Sequence, residues 1–205
     1  SELFKENPAR VDDLSTSFES LWIDVSKQLI DSETFKLFSD LAEEIKIKKF
    51  LSDMMSGIPV NSTEKKPALH TALRASKDSK ILVEGIDVLP KVTETLEKMT
   101  DFSTQIREGK LLGATNSPIK SVVAVGIGGS HLGLSMAYKA LSKFSHTELT
   151  IKFCSSIDPI ELTQTLDELD PETTIFVVTS KSFNTKETLL LMDNVKGWLN
   201  QSIGK

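Results

Sequence analysis

The stretch "SVVAVGIGGSHLGL", residues 121–134, decides the fold. Four apolar residues, Val122 to Val125, run without interruption into glycines at 126, 128 and 129. Ser130 and a helical apolar pattern over Leu132–Phe144 follow. A short continuous apolar run bounded by glycine is the pattern of a strand covered on both faces. The same grammar occurs twice more. Leu149–Cys154 leads into a helical pattern at Pro159–Leu169, and Thr174–Thr179 into one at Lys186–Leu199. Asp158 stands as N-cap before Pro159 at the first helical position. Strand–helix repeats at this spacing predict an α/β fold with a parallel sheet and right-handed crossovers.

Upstream the pattern reads helical. Leu14, Phe18, Leu21, Trp22, Val25 and Leu29 recur at steps of three and four and predict a helix over Val11–Ile30. Thr34–Met55 continues that period, "SGIPVNSTEKKP" (56–67) is a loop, and Ala68–Ala75 and Val92–Glu108 are two further helices. The organisation expected is a helical segment over 1–112 and an α/β domain over 113–205, with a soft boundary near "GATNSP" (113–118).

Composition excludes several classes. Of 205 residues, 39% are hydrophobic and 26% charged, which is globular and not disordered. The net charge of -5 argues against a general nucleic-acid binder but allows a local anion site. Cys154 is the single cysteine, so no disulfide forms within the chain and a zinc cluster lacks ligands. No apolar run approaches the roughly 18 residues a membrane helix needs, and "SELFKENPARVDD" has no signal-peptide pattern. The expected location is cytoplasmic, with no membrane partner.

Two loops carry the chemistry. "GIGGSHLG" (126–133) follows the first strand of the sheet and "SKSFNTKET" (180–188) follows the third. Loops at the carboxyl ends of parallel strands face one crevice, and each offers N–H groups at a helix start carrying about half a positive charge. Ser130, Ser180, Ser182 and Thr185 add hydroxyls, Lys181 adds a full charge, and Asn184 with Glu187 fits a capping box. Taken alone, the glycine-rich loop is as often a packing turn as a ligand site, and the serine–threonine–asparagine loop is more often a cap. The dinucleotide fingerprint fails because position 131 is His131, and the phosphate-binding loop of nucleoside triphosphatases fails because Leu134 stands where Lys is required.

With "NSTEKKPALHTALR" (61–74), these two loops resemble the glucose-6-phosphate isomerase (phosphoglucose isomerase) family, in its N-terminal portion. The resemblance implies a three-layer sandwich of the sugar isomerase (SIS) type, preceded by a helical segment and truncated. It implies interconversion of glucose 6-phosphate and fructose 6-phosphate through an enediol, a homodimer, and no metal or organic cofactor. Carried over, Gly129, Ser130, Ser180, Lys181, Ser182, Phe183, Asn184 and Thr185 bind the sugar phosphate, with Phe183 packing beneath its loop. His131 departs from a common Asp, Lys66 from Arg, and Ser182 and Asn184 from Thr. The family's base glutamate, ring-opening histidine and catalytic arginine have no counterpart motif here, so no residue is assigned as catalytic. His70, His131 and His146 are expected in packing or surface roles, and Glu187 as a cap. The alternative reading is a non-catalytic SIS module that binds sugar phosphates for regulation.

Overall fold

The computed structural model describes residues 2–76, 78–145 and 148–204, which leaves His146 outside the described residues. The chain forms two compact units, Ser1–Thr93 and Glu94–Lys205.

The first unit begins with two short helices, α1 (Glu2–Glu6) and α2 (Arg10–Asp13). The helix expected over Val11–Ile30 is instead an antiparallel hairpin of β1 (Ser15–Phe18) and β2 (Leu21–Asp24). Phe18, Leu21 and Trp22 sit at helical spacing, but Thr16, Phe18, Trp22 and Ile23 are strand formers, and Glu19 turns the chain at φ 51°. A buried Arg10 locks the segment after the hairpin. Its guanidinium donates to the carbonyls of Ser26 (2.7 Å), Gln28 (2.7 Å) and Ile30 (2.6 Å). Helix α3 (Ser32–Glu44) is capped by Asp31, whose carboxylate accepts from Thr34 N at 2.7 Å. That bond holds the Asp31 carboxyl below its ordinary value. Lys46 at φ 53° separates α3 from α4 (Ile47–Met55), so the continuous 34–55 pattern is two helices. The 68–75 segment is a 3₁₀ turn over Leu69–Arg74, pinned by Ala72 against Ile81 and Leu89. A two-residue-per-strand hairpin, β3 (Leu82–Val83) and β4 (Ile86–Asp87), completes the unit.

Helix α5 (Leu89–Arg107) leads to the parallel sheet: β5 (Ser121–Val125), β6 (Thr150–Cys154) and β7 (Thr174–Val178). Their helices are α6 (Gly129–Ala140), α7 (Pro159–Asp167) and α8 (Lys186–Ile203). The strand order is β6-β5-β7, with Val125 opposite both Cys154 and Val178. One face of β5 carries Val123 and Val125, which pack with Cys154, Leu162 of α7 and Leu191 of α8. Burying each such aliphatic side chain contributes about 1.5–3 kcal/mol. On the other face, α6 lays His131 and Tyr138 against Phe153 of β6. The crossovers α6 and α7 therefore lie on opposite faces, and the direction of winding reverses between β5 and β7.

Candidate anion site

An open parallel sheet binds ligands where its winding reverses, outside the carboxyl ends of the strands. Here that point lies between β5 and β7, and the two polar loops flank it. The β5–β7 ladder runs one bond beyond the strands, Thr179 N donating to Val125 O at 2.8 Å. The loops thus depart from positions about one strand spacing, 4.8 Å, apart.

The first loop is built from backbone. Gly126 is buried, and a Cβ there would lie 3.0 Å from Ser130 O and 3.1 Å from Ser130 Cβ. Only glycine lets the chain fold that tightly onto the first turn of α6. Gly128 takes φ 56°, where a side chain is strained, and it precedes α6 with no side-chain cap. Ser130 N donates back to Ile127 O at 3.1 Å and His131 N to Gly128 O at 3.0 Å, which leaves Gly129 N as the first-turn donor directed at whatever sits before the helix. Gly128 and Gly129 are exposed and Ser130 half-buried.

The second loop is built from side chains. Ser180 Oγ accepts from Phe183 N at 3.1 Å and lies 3.4 Å from Thr185 Oγ1. Ser182 Oγ donates to Asn184 Oδ1. Phe183 holds the turn at φ 54°. Two expectations are corrected here. Phe183 is 54% exposed and does not pack beneath the loop, because its left-handed backbone turns the ring outward. The Asn184–Glu187 capping box does not form: Thr185 is the N-cap, without a side-chain cap bond, and Asn184 is occupied by Ser182. Like α6, α8 begins with its N–H groups uncapped by a side chain. Lys181, Ser182 and Asn184 are exposed and Ser180 and Thr185 half-buried.

The loop on the other side of β5 is of opposite character. After β6, Glu161 Oε1 accepts from Ser155 N at 3.0 Å, Asp158 Oδ1 from Ile160 N at 2.9 Å, and Ser156 Oγ from Asp158 N at 3.0 Å. Two carboxylates already take those donors. Burial, and secondarily the Glu161 charge, push the Cys154 thiol up to about 11. Sequence reading identified Asp158 as a cap and missed Glu161. Its signal was available: an acidic residue in the first turn after a carboxyl-end loop.

Among the histidines, His70 is exposed, and His131 rests edge-on against Phe153 with its ring centroid 5.4 Å away. The His131 Nδ1 is buried without a hydrogen-bond partner. Neither joins the two loops as an acid. Among the described residues no group of histidine, cysteine or carboxylate side chains is arranged to hold a metal ion, and no helix is long and apolar enough to cross a membrane.

The fold is a doubly wound α/β sheet, and the two polar loops at its switch point are a candidate anion site. Comparison with known proteins narrows that class. The family model described as phosphoglucose isomerase matches residues 24–205. A glucose-6-phosphate isomerase of Corynebacterium diphtheriae is 43% identical over 203 residues, covering 99% of this chain and 37% of that protein. One from Deinococcus radiodurans is 40% identical over 202 residues, again covering 37% of the relative. A crystal structure of a glucose-6-phosphate isomerase from Chlamydia trachomatis superposes with a TM-score of 0.73 at 27% identity, over 94% of this chain and 37% of that one. The chain belongs to the phosphoglucose isomerase family, and it spans a little over a third of the length of these relatives.

Proposed function

We propose that this chain anchors the phosphate of a hexose phosphate for an aldose–ketose isomerase that interconverts glucose 6-phosphate and fructose 6-phosphate. The observation that supports this reading is the pairing of β5 with β7, whose carboxyl ends lead into the two loops. In it, Gly129 and Ser130 meet the phosphate with backbone N–H and hydroxyl, and Ser180, Ser182 and Thr185 meet it with hydroxyls. Lys181 supplies charge. The one proton of the Ser182 hydroxyl goes to Asn184 Oδ1 here, and the hydroxyl leaves that acceptor to donate to the phosphate, while Phe183 holds the turn. Charge-assisted bonds of this kind contribute about 1.5–3 kcal/mol each. That energy serves to place C1 and C2 of the sugar for reaction.

The reaction itself is a proton transfer. A carboxylate base takes the proton from the carbon beside the carbonyl, whose C–H electron pair becomes the C1=C2 bond of the enediol as the carbonyl oxygen is protonated. Return of the proton to the neighbouring carbon, with the other hydroxyl giving up its proton as its oxygen becomes the new carbonyl, completes the exchange without a metal or organic cofactor. We assign the base to polypeptide outside these 205 residues, acting in a cytoplasmic homodimer of SIS-type domains. The 205-residue chain is then expected to bind glucose 6-phosphate with negligible turnover. Isothermal titration of the chain and of a Lys181→Ala/Ser182→Ala variant tests this; equal affinity in both overturns the site. Binding by a full-length protein that shows no isomerase activity would favour a regulatory module instead.

A further inference from the structure

The family-like block at 61–74 is not used by the anion cleft, yet it builds a second concentration of positive charge. In the first unit, His70, Thr71, Arg74, Ser79 and Lys80 line an open cleft of 760 Å³ whose apolar floor includes Met55 and Ile81. A neighbouring cleft of 700 Å³ shares Met55 and Lys80 and adds Lys48. Among the described residues no carboxylate lines either cleft, although acids outnumber bases 29 to 24 in the chain. The nearby Asp78 is exposed on the turn outside the lining.

The cations stand on a firm base. Ala72 is 2% exposed and pins the 3₁₀ turn that carries His70 and Arg74. The Arg74 guanidinium makes one long bond, Nη1 to His70 O at 3.3 Å, and no ion pair with a described residue. Most of its fork is therefore open to a ligand. A planar fork, an ammonium and the Thr71 hydroxyl, beside a Ser79 hydroxyl paired with Ser76 at 2.7 Å, offer more donors than one carboxylate accepts and suit the several oxygens of a phosphate. A cleft of this size also fits a small organic molecule, with the methionine and isoleucine floor against its carbon skeleton.

We infer that the cleft between His70, Arg74 and Lys80 is a second anion site, for a small organic phosphate, separate from the β5–β7 loops. It depends on no assumption about the isomerase reaction.

The test is a titration of the chain with inorganic pyrophosphate, followed by ¹H–¹⁵N amide shifts. Saturable shifts are expected at residues 70–76 and 79–81. An Arg74→Ala/Lys80→Ala variant is expected to weaken that site at least about tenfold, while the response of residues 127–130 and 180–186 is unchanged. Lys80→Glu alone, at an exposed side chain, gives the same result without burdening the fold. Absence of saturable shifts, or equal affinity in the variants, overturns the inference. So does loss of the response in a polypeptide of the relatives' full length, because the protein's own acidic side chains then fill the cleft.

Discussion

The two pairs of loops that flank β5 at the carboxyl end of the sheet share that strand and differ in almost everything else. On the β7 side, two helices begin without a side-chain cap, and the loops supply glycine, serine, threonine and lysine. On the β6 side, Asp158 and Glu161 consume the N–H groups of their loop and place two negative charges there. A helix start attracts an anion only while its donors are unclaimed. The same sheet edge therefore has one side whose helix starts carry no side-chain cap and one side whose N–H groups are taken by carboxylates.

The largest effect that would break this contrast comes from emptying the β7 side. Lys181→Ala/Ser182→Ala removes two of the proposed phosphate contacts and is expected to weaken glucose 6-phosphate binding about 100-fold or more, read by calorimetry. Next comes Gly126→Ala. Its Cβ meets Ser130 O at 3.0 Å, so the first turn of α6 must shift. Destabilisation of about 1–3 kcal/mol in urea unfolding is expected, with weaker phosphate binding at Ser130. On the β6 side, Asp158→Ala should cost about 1 kcal/mol through the lost cap and leave phosphate affinity unchanged. A large affinity change there would erase the distinction between the two sides.

The smallest effect concerns Cys154, at the end of β6. Its thiol is fully buried and titrates near 11, so it stays protonated through neutral pH. Labelling by a thiol reagent at pH 8 is expected only at the rate of unfolding, and at full speed in urea. Because the folded value is raised, the buried neutral thiol contributes stability below the unfolded value of about 9. The unfolded chain loses its thiol proton first. This contribution wanes as pH rises through that value and is gone by about 11.

The sheet was legible because continuous apolar runs have one use in an α/β chain, and all three strands fall within a residue of their expected limits. The order β6-β5-β7 was not, since nothing local in Ser121–Val125 states which neighbours it takes. The β1–β2 hairpin was misread because Phe18, Leu21 and Trp22 satisfy a helical period by coincidence, while the exposed aromatic side chains give no core to choose the period. The β3–β4 hairpin was too short to leave a pattern. At the site, the residue types were legible and their pairings were not. Asn184 looked like a cap and serves Ser182, because a side chain two residues away competes with the backbone for the same oxygen.

One measurement bears most directly on the central claim: titration of the ¹⁵N-labelled chain with glucose 6-phosphate. Coupled shifts with one binding constant are expected at residues 127–130 and 180–186, and none at 155–161. Separate constants for the two loops, or a response centred on 155–161, would contradict a single phosphate cleft between β5 and β7.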